Sequence, residues 1–155
     1  MAEHLKCLVL ACGNPLRGDD GVGILLARFV EEWAAERRSD VKVIARMQWT
    51  PELAEDIAAA ESVIFIDCAI DVAAGSIHVR EVESGADAPP ATHHLQPYEL
   101  LAMTRDLFNR TPKRAMLFTV GAASVEMGEG LSAEVEAALP EARFKLEKAL
   151  ESCVD

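Results

Sequence analysis

The chain has 155 residues, half of them apolar, and a formal net charge of −11. That length makes one domain, 1–155, with a single sizeable core, and no run of about 18 apolar residues exists to cross a membrane. So acidic a surface argues against nucleic acid and anionic membranes, because both need basic side chains set against phosphate.

The first residues, Met1-Ala2-Glu3-His4-Leu5-Lys6-Cys7, lack the basic and apolar regions of a secretory signal. A cytoplasmic location and reduced thiols are therefore expected for Cys7, Cys12, Cys68 and Cys153. None of them is spaced as Cys-x-x-Cys, which disfavours a structural zinc site. A monomer is the default for this size.

Leu5 to Cys12 is a nearly continuous apolar run and reads as a strand buried on both faces. From Gly21 the period changes: Val22, Leu25, Leu26, Phe29, Val30 and Trp33 make a helical stripe. Asp19 and Asp20 fall at its start, where the helix dipole favours negative charge by about 0.3–1 kcal/mol, and Arg37 and Arg38 at its end. Val41 to Met47 alternates as a second strand. Thr50 and Pro51 are placed as N-cap and first residue of a helix to about Ala60. Ser62 to Asp67 reads as a buried strand ending on a carboxylate, and Gly75 to Val82 as a strand near a sheet edge.

A Pro- and Ala-rich loop then leads to His93-His94. A helix is expected from about Pro97 to Asn109, with Leu100, Leu101, Thr104, Leu107 and Phe108 on one face. Ala115 to Gly121 is the last core strand. A final helix runs from Ser132, its N-cap, to about Ser152, and Pro140 inside it should kink or split it. Alternating strands and helices with buried strands predict an α/β domain of three layers, a mostly parallel twisted sheet of about five strands with helices on both faces.

The stretch after the first strand carries the chemistry. Gly13 and Gly18 have the spacing of a phosphate-binding loop, but Asp19 and Asp20 stand where Lys and Ser or Thr are required, so phosphate would be repelled. The two acids in this glycine-flanked turn read either as caps of the helix that follows or as functional groups, and Asp67 either caps the next segment or, paired with Asp20, forms a hard, oxygen-rich cation site. His93 or His94 adds an imidazole, and two carboxylates with an imidazole suit a divalent transition metal with open positions. Asp19 is available to orient a ligand or pass a proton. Cys68, next to Asp67, is a candidate soft ligand or nucleophile, but its apolar neighbours in sequence favour an inert thiol. His4 and His78 are given no role.

The segment Gly13-Asn14-Pro15-Leu16-Arg17-Gly18-Asp19-Asp20-Gly21-Val22-Gly23 resembles the opening motif of the nickel–iron hydrogenase maturation endopeptidases. Asp67 after Val63-Ile64-Phe65-Ile66 matches the family's second acid, and Thr92-His93 before the Glu99-Leu100-Leu101 helix matches its histidine loop. Val120-Gly121 and Gly130-Leu131-Ser132 fit its C-terminal third.

The resemblance implies a peptidase that removes a C-terminal extension from a hydrogenase large-subunit precursor after nickel insertion. The metal-contacting and catalytic positions fall on Asp20, Asp67 and His93, with nickel supplied by the substrate and no Ser or Cys nucleophile. Asp20 stands where some members have Glu, and His93 fits the spacing to the helix better than His94. One segment departs from the pattern. Where members carry an Asp-Gly-Gly-Thr-like sequence associated with peptidase function and substrate choice, this chain has Arg46-Met47-Gln48-Trp49-Thr50-Pro51.

Two other readings stay open on the residues alone. One is a non-catalytic nickel- or precursor-binding factor on the same fold. The other is a phosphoacceptor receiver-like domain with Asp67 as acceptor; against it, the loop Asn14 to Gly18 displaces the acids from the strand and Ala115 to Gly121 ends without Lys.

Overall fold

A computed structural model describes residues 4–83 and 95–155. Its strands are β1 (Leu5–Cys12), β2 (Val41–Arg46), β3 (Ala60–Ala69), β4 (Ile77–Glu81) and β5 (Arg114–Gly121). Its helices are α1 (Val22–Arg37), α2 (Leu53–Ala58), α3 (Pro97–Phe108) and α4 (Ala133–Val154), with a 3-10 turn at Gly18–Gly21.

The five strands form one sheet in the order β2-β1-β3-β5-β4. All neighbours run parallel except β4, which lies antiparallel to β5 at the edge. This is the expected mostly parallel α/β sheet, with the weakly alternating strand at its border.

Two cores flank the sheet. On one face, α1 and α4 bury Val22, Leu26, Val30, Val135, Leu146 and Leu150 against Val9, Ile64 and Phe118. On the other, Leu53 and Ile57 of α2 and Leu100 and Leu101 of α3 pack on Leu8, Leu10, Val63 and Phe65. Strands covered on both sides need apolar side chains at their buried positions, which is why β1 from Cys7 to Cys12 and β3 from Val63 to Ile66 read as apolar runs.

Several boundaries differ from the sequence expectations. Asp67 lies inside β3, paired with Thr119, and the strand continues to Ala69 because β5 extends alongside it. α2 begins at Leu53 after a turn closed by Leu53 N–H to the Thr50 carbonyl, and Thr50 makes no side-chain cap. α4 is continuous through Pro140, and Pro140 is exposed. Packing along the helix's buried face holds it across the missing N–H. Leu107 and Phe108 are exposed, so the buried face of α3 ends at Thr104. Ser132 caps α4 as expected, accepting from Val135 N–H at 3.3 Å. No described helix is long and apolar enough to cross a membrane.

Candidate active site

The chain leaves β1 toward β2 on one side and reaches β3 on the other, so β1 and β3 are neighbours at which the strand order reverses. Just outside the carboxyl ends of two such strands a crevice opens, the usual ligand position in open α/β sheets. The loop after β1 and the end of β3 both deliver acids there.

Residues 13–20 fold back on themselves. Asn14 N–H donates to Asp20 Oδ2 at 2.8 Å, and Asp20 N–H donates to the Arg17 carbonyl at 3.1 Å. Gly13 is required because a Cβ there would collide with the Asp20 carbonyl oxygen. Gly18 sits at φ 55°, where a β-carbon is strained. The two glycines that mimic a phosphate loop thus shape the turn that presents Asp20.

The adjacent acids have opposite fates. Asp19 is 1 % exposed, and its carboxylate accepts three backbone N–H groups: Ser132 at 2.7 Å, Ala123 at 2.8 Å and Ser124 at 3.2 Å. Burial acts to raise its pKa, but these donors outweigh it and hold the carboxyl below the usual range. Asp19 therefore ties the β1 loop to the segment between β5 and α4. The expectation that it orients a ligand or passes a proton is corrected, because its acceptor positions are engaged by backbone. Nor do the acids cap α1, whose N-cap is Gly21 with no side-chain bond.

Asp20 is half-buried and faces β3. Its Oδ1 accepts the Cys68 thiol at 3.1 Å, while Asp67 Oδ1 accepts Cys68 N–H at 2.8 Å. One potential ligand atom from each of Asp20, Asp67 and Cys68 lies within 4.8 Å of the others. The structure thus brings together two of the residues singled out from the sequence. The third, His93, and its neighbour His94 lie outside the described residues.

Cys68 is the residue that sequence reasoning undervalued. Its near neighbours in space include carboxylates, so the expectation of apolar surroundings is corrected. Burial, then the hydrogen bond to Asp20 and the nearby charges, push its thiol pKa up, which keeps the thiol protonated and disfavours nucleophilic attack by it. Cys12, at the end of β1, is buried and likewise raised, first by burial and then by Asp67. The available signal was the position of Cys68 beside Asp67 at a strand end.

The segment that departs from the glycine pattern is exposed at Arg46, Met47, Gln48 and Pro51 and anchored by one buried side chain. Trp49 is buried edge-to-face on Phe65, with ring centroids 5.2 Å apart, while Met47 is exposed.

The phosphoacceptor alternative fails on topology. That doubly wound architecture has order 2-1-3-4-5, whereas here β5 lies inside and β4 is an antiparallel edge.

No model of a protein family matches the chain, and no curated protein sequence does. Solved structures do. HybD, a hydrogenase maturating endopeptidase from Escherichia coli, is 23% identical, with 94% of this chain and 92% of that chain covered and a TM-score of 0.77. A hydrogenase 2 maturation peptidase from a Thaumarchaeota archaeon is 26% identical, covering 93% and 97%, with a TM-score of 0.66. The [NiFe] hydrogenase maturation protease HybD from Thermococcus kodakarensis is 22% identical, covering 92% and 97%, with a TM-score of 0.67. With its acids converging at the switch point of the same sheet, the chain has the fold of the hydrogenase maturation endopeptidases.

Proposed function

We propose that this protein is an endopeptidase that removes the C-terminal extension of a nickel–iron hydrogenase large-subunit precursor, recognising the nickel already inserted there. The observation that carries this reading is the meeting of Asp20 and Asp67 at the reversal of strand order, on a fold shared with named maturation peptidases. His93 is the third contact, drawn from the resemblance of its loop.

In this reading the nickel arrives with the substrate. Asp20 and Asp67 supply hard oxygen donors and His93 an imidazole, a set suited to a divalent ion with open positions. Holding the ion fixes the extension across the carboxyl edge of the sheet, which makes the attack effectively intramolecular. Water adds to the scissile carbonyl, the C–N bond breaks, and the water's protons end on the leaving amine and solvent. The ion lowers the barrier by polarising the carbonyl or acidifying the water. A carboxylate beside it is placed to accept and return a proton.

A second reading keeps the precursor as partner but removes the chemistry: a factor that binds nickel or precursor and leaves it full length. The glycine-free segment at Met47 to Trp49 favours it. One assay separates the two. The protein is incubated with nickel-loaded precursor from the same cell and with a nickel-free control, and the products are weighed by mass spectrometry. Loss of a C-terminal peptide only with nickel supports the peptidase, and an intact precursor of confirmed nickel content supports the binding factor. Wild-type processing by both Asp20→Ala and His93→Ala would refute metal recognition.

A further inference from the structure

We propose that Cys68 is a further contact to the substrate-borne cation, joining Asp20 and Asp67 in a mixed thiolate–carboxylate set that selects thiophilic divalent ions. This rests on the reading of the site as a nickel contact, and adds to it a residue outside the two-acid, one-imidazole set.

The three donors are close enough together to share one ion. Two donors about 2.0–2.3 Å from one metal, at angles of about 90–110°, are themselves about 3.0–3.7 Å apart. Cys68 Sγ and Asp20 Oδ1 are 3.1 Å apart, one edge of such a polyhedron. The Asp67 donor completes a triangle with no side above 4.8 Å. The donors come from two elements, the turn after β1 and the end of β3, so the sheet itself sets their spacing.

At present the thiol proton occupies the Cys68–Asp20 edge. When a cation enters, an S–metal bond forms, the S–H bond breaks heterolytically and its proton leaves to solvent. Asp20 Oδ1 exchanges the thiol for the ion, and no electron is transferred. Thiolate is a soft ligand, so its presence favours nickel, cadmium or zinc over magnesium and calcium, which carboxylates alone hold as well.

The test is a titration of the reduced full chain with cadmium chloride, followed by the thiolate-to-cadmium charge-transfer band in the ultraviolet. A parallel calorimetric titration uses calcium chloride. Wild type is expected to develop the band to saturation at one equivalent. Cys68→Ser should lose the band and bind cadmium about tenfold or more weaker, since even outer-shell changes cost 10–100-fold, with calcium binding unchanged.

Cys12→Ser should keep the band, which separates the two thiols near the acids. Cys68→Ala serves if the serine variant does not give the wild-type circular dichroism spectrum. An undiminished band in both Cys68 variants, or no band in wild type whether or not cadmium binds, overturns the proposal. The cleavage assay fails independently: a Cys68-dependent band with no processed precursor removes the peptidase and leaves the contact. Processing without a band does the reverse.

Discussion

Replacing Asp19 should destabilise the protein by removing a buried clamp that is separate from the proposed metal contacts. The carboxylate of this buried residue accepts from Ser132, Ala123 and Ser124 at 2.7, 2.8 and 3.2 Å. Hydrogen bonds to a charged group contribute about 1.5–3 kcal/mol each. Ala123 and Ser124 lie on an exposed stretch, so their donors regain water and each loss is nearer about 1 kcal/mol. Asp19→Ala is then expected to cost about 3.5–5 kcal/mol, a large share of the roughly 5–15 kcal/mol of an ordinary domain.

The size of the chain converts that loss to roughly 7–20 °C in Tm. Asp19→Asn presents an oxygen to one side of the clamp and an N–H to the other, and should lose about 2 kcal/mol. The assay is urea unfolding at neutral pH followed by circular dichroism, with linear extrapolation to water.

The sign with pH follows from the depressed carboxyl. The stabilisation is complete above the unfolded-state value of about 3.9 and disappears as pH falls through the lower folded value. The gap between wild type and Asp19→Asn should therefore narrow in acid. A loss below about 1 kcal/mol for Asp19→Ala at neutral pH would refute the clamp.

Gly13→Ala puts a methyl against the Asp20 carbonyl and should displace the turn, weakening cadmium binding and stability by about 1–3 kcal/mol together; an unchanged titration would argue against this role. Trp49→Ala should cost about 3–5 kcal/mol in urea unfolding through the cavity left against Phe65. Trp49→Phe should cost much less, since it deletes an indole N–H that is buried without a partner among the described residues. Pro140→Ala restores a helical hydrogen bond at an exposed position of α4 and should raise stability by about 1–2 kcal/mol, read as an increase in Tm.

The architecture was legible because burial on both faces leaves a plain mark. Apolar runs from Cys7 to Cys12 and from Val63 to Ile66, the helical stripe of α1 and the weaker alternation of β4 each report a local environment that periodicity encodes. Asp20 and Asp67 were legible as candidates because acids at the ends of apolar strands have few local reasons to be there.

Local pattern could not tell Asp19 from Asp20. They are adjacent in the same turn, and only the approach of residues 123, 124 and 132, which follow β5, turns one into a clamp and leaves the other facing β3. It could not rank Cys68 either, whose environment is decided by the pairing of β1 with β3.

Pro140 fits the same division. Propensity argues for a break, while long-range packing of α4 on the sheet holds a single helix. Sequence by itself determined the elements and their chemistry, because these depend on neighbours along the chain. Strand order, the division of labour between two consecutive acids and the company of a thiol depend on contacts between distant segments, and only the tertiary structure decided them.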